Sequence, residues 1–489
     1  MARPHTRLQG TLPRLSEAGL LCLLRVLVCA TLYASGFRAL SDDDYARISI
    51  AQRFAASPSI DPSQTSWLPA PFWAYGAAFR VFGTGLHVAQ VTAVALSCAA
   101  TLLVYVAARV LGACRPAAFV GAALSTLLPY SAVLGAAALP EVPCGALILF
   151  GATTLASTKR DTRALGGLAL CVACLSRYEA WPVAVAFAIF GVWDAARTRQ
   201  ATLLAGAGLA LLGPALWLLT GRLEHGDALF FVARVANYRR ALGADTTGSL
   251  TQQLLEYPSL LLRAEPELFG LFAVVALAEW RHVARGELAP YRRAGLALLA
   301  LLAFMVFGSV RDGVPTHHAA RVLLPLWFFT CVACGHGLAH RIARTAWGAR
   351  ISLIAVSIAA IALGLLAKPK LSPVEGFAER ARELEAGTEA ERRRATKLAI
   401  DTPDYGYFAV QAGLGSPAQS SVLDDHDPRH SRTGDPFADG AALSRALRAQ
   451  QARFLIATRE HTPLASQVCA ELWRNSGFTL LECPAVAAP

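Results

Sequence analysis

Apolar runs of about 15 to 25 residues recur between residues 18 and 367, and short charged segments separate them. A helix needs about 20 such residues to cross the hydrocarbon core of a bilayer. The pattern predicts eleven crossings, at about 18–40, 87–111, 117–133, 141–157, 164–176, 181–195, 201–220, 268–280, 294–309, 322–339 and 351–367. The chain is therefore predicted to be an α-helical polytopic membrane protein.

Polar residues after the first apolar run predict surface helices in the first outer loop. Three carboxylates, Asp42, Asp43 and Asp44, stand in a row, and each would cost about 2.5–3.5 kcal/mol inside hydrocarbon. Ser41 and Asp44 have the spacing of a capping box, and apolar residues then recur at helical spacing, which is typical of an amphipathic helix in the interface. A second surface helix is predicted at 70–82.

The pattern changes after residue 368, where charge rises and no run of span length follows. Helices are predicted at 380–397 and 440–452, and strands at 407–410, 454–457 and 478–481. Strands that alternate with helices predict a small α/β domain. The predicted organisation is a cytoplasmic N-terminus at 1–17, a transmembrane domain at 18–367 and an extracytoplasmic α/β domain at 368–489. The sequence leaves open whether Cys469 and Cys483 form a disulfide.

Composition supports a membrane protein and gives it an orientation. Only 16% of the residues are charged and the mean hydropathy is +0.43, whereas a soluble domain carries about 25% charge. The net charge of +11 comes from basic residues in alternate loops, which is the positive-inside pattern rather than a nucleic-acid site. An odd number of crossings then places the N-terminus in the cytoplasm and the tail outside a cell membrane.

Ionisable residues that flank the spans fall on the predicted outer face and indicate one cavity there. They are Asp42, Asp43, Asp44, Glu141, Arg177, Glu179, Arg239, Arg240, His317, His318 and Arg321. Plainer explanations stay open for several: Arg177 and Glu179 as charges at helix ends, Glu141 as a helix cap, and the two histidines as interfacial side chains.

This set of side chains suits group transfer from an anionic lipid. A carboxylate can deprotonate an acceptor as general base, and arginines or histidines can hold a donor phosphate. The sequence contains no glycine-rich phosphate loop, so it does not support the use of a nucleotide. A divalent cation on Asp42 and Asp43 stays open, because paired acids serve either as base or as metal ligands.

The order of the motifs resembles that of the GT-C glycosyltransferases, particularly the protein O-mannosyltransferase and lipid A aminoarabinose transferase branch. That family places an acidic pair at the end of the first span, then a Tyr-Ala-x-Ile helix, a Pro-rich helix and a Phe-Gly turn. Here residues 42–48, 69–73 and 81–83 follow this order at similar spacing.

Later motifs extend the resemblance over about 41–340. Leu139-Pro-Glu141 is similar to the acidic residue at the start of the family's fourth span, and residues 176–179 are similar to its charged break between short helices. Residues 314–317 and 321–325 are similar to its late outer-loop motif. A basic residue that some relatives carry in the Pro-rich segment is missing from 65–71.

The resemblance implies an inverting hexosyl or pentosyl transfer from a polyprenyl-phosphate sugar donor on the outer face. It also implies that one acid of the triplet is the general base. Three aspartates stand where the family has a pair, so either Asp42 or Asp43 is expected. The other candidate residues would bind substrate or phosphate. The sugar and the acceptor, whether lipid, protein or glycan, stay open.

Two other functions fit parts of the sequence. A transporter or flippase of a lipid-linked or anionic solute would usually show inverted repeats and polar residues at the bilayer midplane, and neither is apparent. A scaffold with an outer binding domain would leave the aspartate triplet without a reason.

Overall fold

The computed structural model of the protein describes residues 12–241, 249–284, 289–312, 318–344, 346–367, 380–424 and 434–484. The chain up to residue 367 is mainly helical, and a small mixed α/β domain follows it. The helices of apolar character are Leu15–Ala34, Leu86–Val110, Arg115–Leu127, Pro129–Ala136, Glu141–Thr153, Arg160–Cys174, Ala180–Thr198, Leu204–His225, Pro266–Ala284, Ala289–Asp312, Leu324–Arg344 and Trp347–Ala367. The prediction of a polytopic helical membrane protein is confirmed.

The number of crossings is not confirmed as eleven. Each predicted crossing falls on a helix or a bent pair, but only seven helices of the described part are long and apolar enough to span, or eight with one bent pair. Helices Glu141–Thr153 and Arg160–Cys174 have 13 and 15 residues. At 1.5 Å per residue they reach only about 20 Å of a 30 Å hydrocarbon core.

The bent pair has an identifiable cause. Pro129 disfavours the helical conformation at Leu128, whose ψ is 129°, and helices Arg115–Leu127 and Pro129–Ala136 meet at 71°. The break leaves polar groups of the second helix available inside the bundle. Buried Arg25, which lies in helix Leu15–Ala34, donates to the Ser131 carbonyl oxygen at 3.0 Å and to the Ser131 hydroxyl at 3.1 Å. The bend is therefore held by polar contacts between spans.

Both helices predicted between the first two spans are confirmed. Helix Asp42–Ala56, called the acidic helix below, follows directly on Ser41, whose extended backbone makes it the N-cap. Helix Ala70–Phe82, called the Pro-rich helix, ends at Gly83, whose φ of 92° favours glycine. Further helices lie at Phe230–Ala241 and Leu250–Arg263, and short 3₁₀ helices at Thr154–Ala156, Ala201–Leu203 and Ala319–Leu323.

The C-terminal domain contains one five-stranded sheet of order β2-β1-β3-β5-β4. Its strands are β1 Leu398–Asp401, β2 Ser420–Asp424, β3 Phe454–Thr458, β4 Ala470–Arg474 and β5 Phe478–Glu482. β1 pairs in parallel with β2 and β3, and β5 runs antiparallel to β3 and β4. Helices Ala381–Arg392, Tyr407–Leu414, Gly440–Ala449 and Thr462–Ala465 complete the domain, with 3₁₀ turns at Asp404–Gly406 and Pro417–Gln419. The predicted α/β character is confirmed.

One predicted strand is wrong. Residues 407–410 form the start of helix Tyr407–Leu414, which ends at Gly415 with a φ of 72°. A short apolar run does not distinguish a strand from a buried helix, and here the glycine just after it is a helix-terminating signal. Cys469 and Cys483 form a disulfide, with a sequence separation of 14 residues.

Candidate active site

The third aspartate of the triplet is a buried helix cap. One oxygen of Asp44 accepts from the backbone N–H groups of Leu40 and Ser41, both at 3.2 Å, and the other accepts from Ala138 N–H at 3.0 Å. Burial raises the pKa of Asp44 to about 7, against the opposing effects of the Arg321 charge and the backbone donors. Its contacts tie the acidic helix to the loop before Glu141.

The second aspartate is the most open of the three. Asp43 is 39% exposed, and its carboxylate lies 3.8 Å from Arg321, beyond hydrogen-bond distance. Arg321 itself is only 5% exposed and donates to the Ser41 hydroxyl at 3.1 Å. The 3₁₀ turn Ala319–Leu323 places Arg321 just before the N-terminal end of helix Leu324–Arg344. The structure thus brings together a carboxylate and a cation that are 278 residues apart (321 minus 43).

The first aspartate is fully engaged by the C-terminal domain. Arg380 donates from Nε and Nη2 to the two oxygens of Asp42, each at 2.9 Å, and from Nη1 to Glu383 at 3.1 Å. Such a bidentate arginine–carboxylate pair is among the stronger polar contacts in proteins. Arg380 is absent from the residues predicted from the sequence, because no local pattern relates residues 338 positions apart.

Three predicted residues form one connected group of charges centred on Arg177, in which Glu141 Oε2 is buried and has no hydrogen-bond partner among the described residues. Arg177 donates to Glu141 at 2.6 Å and also pairs with Glu179. Burial alone would lower the pKa of Arg177, but the Glu179 and Glu141 carboxylates raise it above its ordinary value. The guanidinium is therefore permanently charged and already neutralised by two acids.

Arg47 is a second residue that was not predicted from the sequence. Its guanidinium lies 4.4 Å from the ring centroid of Trp67 and 5.7 Å from that of Phe72. Its Nε is buried and has no hydrogen-bond partner among the described residues. Burial lowers the pKa of Arg47, and the charges that act on it include Glu141 and Asp43. Helical spacing could have found it, since residues 43 and 47 are four apart and share a helix face.

Some predicted residues are not placed at the site by the structure. Arg239 and Arg240 belong to helix Phe230–Ala241, but their side chains lie outside the described part, as does the whole of His317. His318 precedes the 3₁₀ turn, and its carbonyl oxygen accepts from Arg321 N–H at 3.0 Å.

The carboxylates of Asp42 and Asp43 face arginines. Among the described residues, the group with the composition of a cation site is Asp61, Glu224 and His225, whose ligand atoms lie within 4.8 Å of one another. His225 Nε2 is 3.2 Å from Asp61. This cation-type group therefore includes neither of the two aspartates proposed from the sequence.

Comparison with known proteins identifies the fold. No family model and no curated protein matches the chain by sequence. ArnT from Cupriavidus metallidurans bound to undecaprenyl phosphate matches with a TM-score of 0.56 and 13% identity, over 96% of this chain and 99% of ArnT. ArnT in the apo state matches with a TM-score of 0.57 and 12% identity, over 95% and 97% of the two chains.

A weaker similarity supports no further inference. The archaeal oligosaccharyltransferase AglB from Archaeoglobus fulgidus, in complex with an inhibitory peptide and a dolichol-phosphate, matches with a TM-score of 0.46 and 13% identity, over 96% of this chain and 74% of AglB. The ArnT matches show that the chain has the fold of ArnT, in agreement with the GT-C resemblance of the sequence motifs. They extend over nearly the whole chain, including the C-terminal domain.

Proposed function

We propose that the protein is a membrane glycosyltransferase that moves a sugar from a polyprenyl-phosphate donor to an acceptor at the outer face of the membrane. The observation that carries the proposal is the grouping of Asp43, Arg47 and Arg321 at the start of the acidic helix. The Asp43 carboxylate lies 3.8 Å from Arg321, and the Arg47 guanidinium stacks on Trp67, so neither arginine forms a short ion pair with Asp43. This is the composition that transfer from a phosphate-linked sugar requires.

The cations available to a donor phosphate are Arg47 and Arg321. Arg177 is neutralised by two glutamates and Arg380 by Asp42. Arg321 donates to the neutral Ser41 hydroxyl, and its contact with a carboxylate, that of Asp43, is long at 3.8 Å. Arg47 stacks on Trp67, and its Nε is buried without a hydrogen-bond partner among the described residues. An arginine is also suited to a departing phosphate, since its planar fork can donate two hydrogen bonds to it. Arg47 lies over the segment 65–71, where the sequence lacks a basic residue.

The proposed reaction is an inverting displacement. An aspartate accepts a proton from the acceptor hydroxyl or amine, the acceptor atom bonds to the anomeric carbon, and the carbon–oxygen bond to phosphate breaks. The polyprenyl phosphate leaves as an anion that the arginines stabilise. The ArnT structure bound to undecaprenyl phosphate supports a lipid phosphate of this class as the leaving group.

Two features support an extracytoplasmic site. The C-terminal domain contains the disulfide, and disulfides persist in oxidising compartments. That domain also contacts the acidic helix through Arg380, so the acids and the disulfide belong on the same side. We infer that the N-terminus is cytoplasmic and that the site and the C-terminal domain lie outside.

Mass spectrometry of lipid-linked sugars and surface glycans in a strain that lacks the gene tests the proposal. The strain should accumulate a polyprenyl-phosphate sugar and lose that sugar from an acceptor. Wild-type protein should restore the transfer, while Asp43→Asn should lower it by about 100-fold or more, as expected for loss of a general base. Asp404→Asn, at an exposed aspartate of the C-terminal domain, is the matched control and should restore it.

Unchanged lipid-linked sugars and glycans in the strain that lacks the gene would contradict the proposed function. Full transfer by Asp43→Asn would contradict the role of that residue alone.

A further inference from the structure

Three neighbouring carboxylates at the start of one helix have three different environments. Asp44 is buried and accepts three backbone hydrogen bonds, and both oxygens of Asp42 accept from Arg380. Only Asp43 is without a contact inside hydrogen-bond distance among the described residues. A general base needs a lone pair that can reach the acceptor proton. The environments therefore separate the triplet by role.

Arg380 belongs to a closely packed part of the C-terminal domain. It directly precedes helix Ala381–Arg392, which packs so closely on helix Tyr407–Leu414 that a Cβ at Gly387 would clash with the Val410 carbonyl oxygen. A Cβ at Gly413 would lie 2.6 Å from the Leu384 carbonyl oxygen. Helix Tyr407–Leu414 is called the docking helix below.

The docking helix lies directly on the acidic helix. Ser49 donates to the Phe408 carbonyl oxygen at 3.3 Å, and Gln52 donates to the Ala412 carbonyl oxygen at 3.0 Å. Gln52 also donates to the Thr84 carbonyl oxygen at 2.8 Å, which connects the end of the Pro-rich helix to the same contact. Polar contacts thus join the C-terminal domain to both surface helices.

A shared apolar cluster reinforces this contact. Its buried members come from the acidic helix, the Pro-rich helix, the span Leu86–Val110 and the docking helix, and include Tyr45, Ile48, Ala51, Tyr75, Phe79, Val88, Ala409 and Ala412. Apolar burial stabilises the contact but is not directional, whereas a bidentate ion pair fixes the relative orientation of its two partners. The Arg380–Asp42 pair lies at the N-terminal end of the acidic helix, one residue before Asp43.

We propose that Asp42 is a positioning residue that fastens the C-terminal domain to the acidic helix through Arg380, and that Asp43 is the acid that faces the acceptor. This inference rests on the proposed function for the role of Asp43. The C-terminal domain then holds the first turn of the acidic helix at the orientation that the reaction needs. A displacement of about 1 Å at a reacting group can cost up to 100-fold in rate.

Hydrogen exchange of the full-length protein in detergent tests the fastening step. Arg380→Gln should raise amide exchange about tenfold or more in residues 42–56 and 407–414, because the ion pair no longer fastens the C-terminal domain, which includes the docking helix, to the acidic helix. Arg392→Gln, at the last residue of the helix that Arg380 precedes, is the matched control, because the Arg392 side chain is 72% exposed and its surface ion pair contributes little. The charge-reversed pair Asp42→Arg with Arg380→Asp should regain protection. Wild-type exchange in Arg380→Gln would overturn the proposal, whatever the enzyme does.

Transfer in the complemented strain tests the assignment of roles. Asp42→Asn and Arg380→Gln should each lower transfer about tenfold, and the double variant should be no worse than either, because both remove the same contact. The charge-reversed pair should recover activity, which a catalytic carboxylate at position 42 would not allow. Loss of all transfer in Asp42→Asn, with no recovery in the reversed pair and wild-type transfer in Arg380→Gln, would make Asp42 the base.

The two measurements distinguish the inference from the proposed function. If the strain that lacks the gene shows no change in lipid-linked sugars, the proposed function fails. The exchange experiment then still decides whether Arg380 fastens the two parts of the protein.

Discussion

The charged residues around the acidic helix form two groups that differ in how completely they are paired. Arg177 lies between Glu141 and Glu179, and Arg380 engages both oxygens of Asp42. Next to Asp42 in the chain, Asp43 is separated from Arg321 by 3.8 Å. The contacts of Arg177 and of Arg380 are called the closed pairs. Asp43, Arg321 and Arg47 are called the open set.

The difference indicates which charges hold the structure and which are left for a substrate. A buried ion that is already paired would have to lose its contact before it could bind a phosphate, and that loss is costly. An ion with unused hydrogen-bonding capacity gains from an incoming anion of opposite charge. Closed pairs should therefore affect mainly stability, and the open set should affect mainly binding and transfer.

The largest effect on stability is expected from a closed pair. Arg177→Met should lower the free energy of unfolding by about 3–5 kcal/mol, because it leaves the Glu141 and Glu179 carboxylates without the counter-charge they share. Chemical unfolding of the protein in detergent measures this change. Arg392→Gln, at an exposed arginine, should stay within about 1 kcal/mol of the wild type. Similar values for the two variants would remove the distinction between the groups.

A binding effect is expected from the open set. Arg47→Gln should weaken binding of undecaprenyl phosphate about 10- to 100-fold, because it removes a charged donor from the proposed phosphate site. A titration in detergent followed by native mass spectrometry measures the change. Arg53→Gln is the matched control, since Arg53 is exposed on the same helix. Unaltered affinity with Arg47→Gln, or an equal loss with Arg53→Gln, would exclude Arg47 from the donor site.

The smallest effect is a change in the pH dependence of stability. Because the pKa of Asp44 is raised from 3.8 to about 7, the folded protein binds more protons than the unfolded chain between these values. The contribution of Asp44 to the free energy of unfolding must then fall as pH rises from about 4 to 7. Asp44→Asn lacks this titration, so its stability should fall less steeply across the window.

Thermal unfolding at several pH values measures this difference, and the wild-type curve minus the Asp44→Asn curve isolates the group. Asp404→Asn should follow the wild type. A difference curve that is flat from about pH 4 to 7 would show that Asp44 is not protonated in the folded protein.

The parts of the fold that depend on local pattern were predictable. Helical periodicity and the capping signal at Ser41 located the start of the acidic helix, and Gly83 marked the end of the Pro-rich helix. The strand predicted at 407–410 failed because four residues of this kind suit either structure. The span count of eleven was not confirmed, since bends and short helices such as Glu141–Thr153 do not follow from hydropathy alone.

The candidate site was predictable only where sequence order reflects proximity. The motifs around Asp43, Glu141, Arg177 and Arg321 drew attention because each charge interrupts or borders an apolar run. How those charges pair depends on side-chain geometry that no spacing encodes. The contact of Asp42 with Arg380 joins a surface helix to a domain 338 residues later, and no pattern in the chain indicates it.

That long separation bears on how the protein is made. A ribosome adds about 5–20 residues per second, so the 338 residues between Asp42 and Arg380 take roughly 20–70 s to synthesise. During this time the segment that will cover the acidic helix has not been translated. A nascent chain that stops before the docking helix would therefore lack Ala409 and Ala412, which complete the apolar cluster around Tyr45, Ile48 and Ala51, and quality-control proteases could act on this incompletely packed chain.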